Sequence, residues 1–139
     1  MAYLPEDLPL PSTEEIDSKE WWEACARKEL VVQQCTSCKA FRHPPQPVCH
    51  ECSSFEFQWT PVNGKGEVIS YILPHHPAHP ALKDHGPYNV VVVELEDAGV
   101  RMVGNLIDTP IDEVKIAQKV QVTWEERGGV TFAQWNQAR

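Results

Sequence analysis

The 139-residue chain has no cluster of Lys and Arg, and no apolar run near the roughly 18–20 residues a membrane span requires. Twelve basic residues face twenty acidic ones, for a formal charge of −8. Residues 1–34 hold eight acids and three bases, residues 35–60 two of each, and residues 61–139 ten and seven, so no segment is net basic. Nucleic-acid affinity rests largely on phosphate neutralisation by clustered Lys and Arg, so nucleic acid is excluded as the expected partner. Anionic membrane surfaces are disfavoured on the same ground. The sequence also lacks a phosphate-cradling glycine loop, a nucleophile elbow and carboxylates paired for acid–base work. The opening stretch MAYLPEDLPLPSTEEID is acidic and proline-punctuated, where a secretory leader would be basic and then greasy. A cytoplasmic location is the expectation.

What is present divides into an N-terminal arm and helix (residues 1–29), a cysteine module (30–60) and a β-rich remainder (61–139). Pro5, Pro9 and Pro11 make the first stretch an extended arm. Asp17 followed by Glu20 resembles a capping box ahead of Trp21 and Trp22, with Trp22, Cys25, Ala26 and Leu30 spaced along one helical face. Beyond residue 60, β-branched runs bounded by turns predict five strands: Glu67–Leu73, Tyr88–Glu96, Val100–Ile107, Lys119–Glu126 and Val130–Gln134. Asp108–Gln118 reads as a short helical or irregular crossover between the third and fourth. Five short strands with such a crossover fit a small Greek-key barrel of the OB type.

Cys35-x2-Cys38 and Cys49-x2-Cys52, ten residues apart, are two tight knuckles offering four thiolates. Tetrahedral sulfur sites of this kind suit Zn²⁺, and Fe is not distinguished by spacing alone. A redox dithiol pair and disulfides are the competing readings. With all four positions taken by sulfur, no coordination site is left to activate water, so the metal is expected to be structural. Cys25 lies among Glu20, Glu23 and Glu29, the opposite of the electropositive setting that activates a thiol, and reads as a small buried apolar residue.

The segment Pro74–Pro87, PHHPAHPALKDHGP, joins the first two predicted strands and carries His75, His76, His79, Lys83 and His85. A connection this long is functional more often than idle, and four prolines stiffen it. It is expected to be a projecting loop that faces a ligand or a partner protein. A histidine metal site and a solvated connection without chemistry are the alternatives.

The order of parts resembles a known family. Paired Trp, then LVVQQCTSCKAFRHPPQPVCHEC, then the Gly-x-Gly-x-Val-x-Ser-Tyr strand and Gly104-Asn105-Leu106 are similar to the zinc-ribbon OB-fold proteins encoded beside thiolases. The resemblance covers roughly residues 13–127. It implies a mainly β chain with an N-terminal helical segment, a rubredoxin-like ribbon and an OB barrel. It also implies a non-catalytic companion subunit of a thiolase-superfamily complex in acyl-CoA and lipid metabolism, of β-keto thiolase, acyltransferase or aldolase type. On that reading Trp21 and Trp22 sit on a partner-docking helix, and the histidine loop approaches the partner's acyl-CoA. A free-standing acyl-CoA or small-ligand binding protein is the alternative, and an OB-type single-stranded nucleic-acid module a more remote one.

Overall fold

In the computed structural model, which describes residues 2–138, a single short helix is wedged against two β-sheets. Helix α1 (Lys19–Ala26) takes its start from a backbone turn, because the amides of Ser18 and Lys19 both donate to the Glu15 carbonyl. Asp17 therefore does not cap it. Ser18 stands at that position and makes no side-chain cap bond. The helix buries Ala24 and Cys25, whereas Ala26 is exposed. The reason lies in the two large rings. Trp21 packs 5.7 Å from His43 and donates from Nε1 to the Val31 carbonyl at 3.2 Å, while Trp22 packs edge-on to Phe132 at 5.9 Å. With one indole turned to each sheet, the small Ala24 and Cys25 take the closest approach.

The first sheet has order β2-β1-β3 and is antiparallel: β1 (Val31–Cys35) lies between β2 (Phe41–Arg42) and β3 (Phe57–Pro61). The Pro-rich loop after β2 is fixed by buried polar side chains. Gln33 accepts from the Gln46 amide at 2.8 Å, and Arg42 donates Nε and Nη2 to the Gln46 carbonyl.

The second sheet has order β6-β5-β4-β7-β8, built from β4 (Lys65–Ile72), β5 (Val90–Leu95), β6 (Arg101–Gly104), β7 (Lys119–Arg127) and β8 (Val130–Gln137). It curls until its outer strands meet at a parallel bridge between Leu106 and Trp135. A register shift between Val68 and Ser70 bends β4 as the curl requires. Inside lie Val68, Val91, Val93, Leu95, Met102, Leu106, Val120 and Trp135, together with Leu30, just before β1, and Val32 of β1, so the first sheet contributes to the same core. Glycine is required at 66 and 104: a Cβ at Gly66 would fall 2.5 Å from Val93 Cγ1, and one at Gly104 2.8 Å from Trp135 Nε1.

All five expected strands of this sheet are present with shifted ends. β6 stops at Gly104 because Asn105 leaves the ladder to bond Gln134 and Asn89. β8 runs three residues further than its pattern suggested, since Gln137 is held by Asp108. The crossover contains one 3-10 turn, Ile111–Glu113. The Pro74–Pro87 loop also has structure of its own, a 3-10 turn at Pro80–Leu82 that buries Leu82. Among the described residues no helix is long and apolar enough to cross a membrane.

Candidate functional site

The two knuckles bring four sulfurs together. Sγ of Cys35 lies 3.6 Å from that of Cys52, Sγ of Cys38 lies 3.6 Å from that of Cys49, and all four are within 4.8 Å of one another. A tetrahedron with metal–sulfur bonds of about 2.3 Å has edges of about 3.8 Å, so the spacing fits one ion; a disulfide would bring two sulfurs far closer. Backbone amides aim at the sulfurs as well: Cys38 N is 3.5 Å from Cys35 Sγ, and Glu51 N is 3.4 Å from Cys49 Sγ. As bare thiols the four cannot all ionise. The backbone donor at Cys38 brings Cys35 down to about 6, and the donors at Cys52 and Glu51 lower Cys49. For Cys38 the backbone contact with Ala40 also lowers the thiol, yet burial and the neighbouring sulfurs outweigh it and push Cys38 up to about 12. A divalent cation removes this conflict by compensating every thiolate at once. Each knuckle closes on a residue with left-handed backbone, Lys39 (φ 68°) and Ser53 (φ 64°), where glycine would relieve a cost on the order of 1 kcal/mol.

Cys25 stands apart from this cluster. It is fully buried, and burial pushes its thiol up to about 12, away from the thiolate that a nucleophile needs.

The histidines of the 74–87 loop do different jobs. His79 Nδ1 accepts from the Ala81 amide at 3.0 Å and caps the 3-10 turn. His75 Nδ1 lies 2.7 Å from the Leu73 carbonyl. His85 Nε2 lies 3.0 Å from the carbonyl of Tyr3, and its ring meets Tyr3 and Tyr88 edge-on. His76 and Lys83 are exposed. The structure does not gather the histidines into a metal site; among the described residues the cluster suited to a metal is the four cysteines.

Sequence reasoning missed a second set of residues. Asn89, wholly buried, accepts from the Leu106 amide at 2.7 Å and donates from Nδ2 to the Leu106 carbonyl at 2.9 Å. Asn105 exchanges two hydrogen bonds with Gln134, at 2.8 and 2.9 Å. This network locks the barrel seam and explains the Gly104-Asn105-Leu106 element: a glycine to admit the Trp135 indole, then an asparagine to tie β6 to β8. A cleft of about 560 Å³ lies at the end of the β4–β5 ladder remote from the loop, lined by Glu67, Glu94 and Glu96 against Lys65 and Lys119. Its balance is acidic, which does not suit a polyphosphate.

His43, which seats Trp21, gives the fold a pH dependence. Burial lowers its imidazole from 6.5 to about 4. The unfolded chain therefore takes up a proton that the native chain refuses between those values. Stability is complete above about 6.5, falls as pH drops toward 4 and levels off below, a loss of up to roughly 3 kcal/mol. Urea unfolding from pH 7.5 to 4.5 should show this slope, and His43→Asn should flatten the part of it that belongs to this side chain.

A four-cysteine ribbon joined to a curled five-stranded sheet in this strand order defines the class: a rubredoxin-like ribbon fused to an OB fold. Family models agree, with "ChsH2, rubredoxin-like zinc ribbon domain" matching residues 22–58 and "ChsH2, C-terminal OB-fold domain" matching residues 59–125. A solved structure described as "Ltp2-ChsH2(DUF35) aldolase" contains a chain 38% identical, superposing with a TM-score of 0.83 over 93% of this chain and 100% of that one. The chain belongs to the ChsH2 (DUF35) family. A "Probable enoyl-CoA hydratase alpha subunit" of Thermomonospora curvata is 43% identical over 110 residues, covering 79% of this chain and 34% of that protein. A "DUF35 domain-containing scaffold protein" of Methanocaldococcus jannaschii is 28% identical over 110 residues, covering 76% of this chain and 74% of that protein. The chain thus spans about a third of the length of the hydratase subunit it matches.

Proposed function

We propose that the chain is a non-catalytic companion subunit of a thiolase-superfamily enzyme acting on acyl-CoA thioesters, of β-keto thiolase, acyltransferase or aldolase type. The observation that carries the reading is the match, over 93% of this chain, to a chain of the structure described as "Ltp2-ChsH2(DUF35) aldolase". The scaffold name of one sequence relative favours the same role, and the alpha-subunit name of the other favours membership of a complex that acts on a CoA thioester. The chemistry of the thiols favours the non-catalytic role. Four sulfurs converge on one point and the fifth is walled off, which leaves no activated cysteine for acyl transfer. The ion at Cys35, Cys38, Cys49 and Cys52 is zinc in this reading, and it supplies folding energy to the ribbon. Trp21 and Trp22 brace α1 between the sheets, so its outer face, carrying Glu20 and Glu23, meets the partner.

The exposed side of the 74–87 loop is the part that reaches the partner's acyl-CoA. His75, His79 and His85 each engage a backbone group through a ring nitrogen, which leaves the exposed His76 and Lys83 to meet the thioester's phosphates or carbonyls. In the reconstituted complex, His76→Ala with Lys83→Ala is expected to raise KM for acyl-CoA about three- to tenfold with kcat and assembly unchanged. Weakened assembly at constant KM would make the loop an interface element instead. If neither quantity moves, the loop has no part in the site.

A further inference from the structure

Strand β5 carries four consecutive valines, Val90–Val93, inside an antiparallel sheet, where the outward positions are ordinarily polar. Val91 and Val93 are wholly buried in the core. Val90 and Val92 therefore point outward, and their cross-strand neighbours share that face. Val92 stands between Ser70 of β4 and Val103 of β6, and Val90 stands beside Ile72. Val103 is 67% exposed and Ile72 61%. The outside of the barrel thus presents an apolar patch across three strands, the kind of surface that marks an interaction site. OB folds take oligonucleotides and oligosaccharides on this face. Here valines replace the stacking rings that such ligands need, so the patch fits another apolar surface.

One step along the same face, Glu94 of β5 and Arg101 of β6 are opposite each other in register. Both are exposed, and among the described residues neither belongs to an ion pair. Glu67, on the other side of Glu94, is already taken by Lys119 at 2.6 Å. Beside the apolar patch, then, one acid and one base remain to meet charges from outside.

We propose that this face joins two copies of the chain, sheet on sheet, about a two-fold axis running along the strands between β5 and β6. Stacked sheets lie about 10 Å apart with their strands nearly aligned. With the axis there, each β5 residue meets the second copy's equivalent of its own cross-strand neighbour: Val92 sits on Val103, and Glu94 on Arg101. Both contacts occur twice, as an isologous interface requires. An axis beneath β5 would set Glu94 against its own copy, and one beneath β6 would do the same to Arg101, so the charges select a single register. The facing area is small, roughly 1,000 Å² in total, which places Kd on the order of 100 µM. This self-association stands apart from the accessory-subunit reading, because it concerns two identical chains.

Sedimentation of the full-length wild type up to about 500 µM is expected to show a reversible monomer–dimer equilibrium. Glu94→Arg and Arg101→Glu should each raise Kd at least tenfold, and so should Val103→Glu at the centre of the patch, with circular dichroism unchanged. An equal mixture of Glu94→Arg and Arg101→Glu should associate again, since one chain brings two arginines to the contact and the other two glutamates. A mixture that stays monomeric, or single charge variants that dimerise like wild type, would overturn the proposal. Should a variant not fold, the wild type still decides. A chain that is monomeric at about 500 µM, the result expected if a different protein covers this face, overturns it as well.

Discussion

Serine in place of Cys38 is expected to cost the chain its ribbon and much of its solubility, the largest effect anticipated for a single substitution. One sulfur fewer breaks the four-fold set whose members lie within 4.8 Å of one another. A structural zinc can contribute on the order of 10–16 kcal/mol of apparent binding energy to a small module, more than the net stability of most domains. The damage does not stop at the ribbon. Leu30, just before β1, and Val32 in β1 belong to the core shared with the barrel, so melting the first sheet strips two aliphatic side chains from it. Metal analysis of the wild type should return about one zinc per chain, and hydrogen exchange of the Cys38→Ser protein should lose protection across β1, β2 and β3. An intact fold without metal in strong chelator would refute this account of the ribbon.

The second large effect is expected at the barrel seam. Trp135 is wholly buried, pairs with Leu106 where the outer strands meet and faces Gly104 at contact distance. Trp135→Ala leaves a void that the neighbouring strands cannot fill without breaking the Asn105–Gln134 bonds, and should cost about 3–5 kcal/mol. Val103→Ala, on the 67% exposed outer face of β6, is the matched control and should change stability by less than about 0.5 kcal/mol. Urea unfolding monitored by circular dichroism measures both. A loss below about 1 kcal/mol for Trp135→Ala would mean that the seam is not what holds the barrel.

The parts of the molecule differ in how openly the sequence declares them. The knuckles are local: two cysteines at x2 spacing can close on one ion only in a tight turn, so Cys35, Cys38, Cys49 and Cys52 are legible at once. The β-branched runs of β5 and β7 are legible for the same reason, since alternation and turns are short-range signals. The strand ends were not, because Asn105 and Gln137 are set by partners about thirty residues away. The loop announced its presence through length and prolines. Its division of labour stayed hidden: His79 works as a cap and His85 as a catch for Tyr3, and nothing in the residue types separates these from His76. Least legible was the path of residues 3–10. A proline-punctuated arm carries no periodicity, and Tyr3 meets Asn89 across 86 positions of chain.

Acyl-CoA turnover by three samples puts the central claim to its most direct test: this chain alone, a thiolase-like protein of the same genome co-purified with it, and the two recombined. The account predicts no thiolase, aldolase or hydratase turnover by the isolated chain, low activity in the separated partner, and a rise of at least tenfold on recombination. Turnover of acyl-CoA by the isolated chain, abolished by a single substitution in it, would contradict the claim that it serves as a non-catalytic subunit.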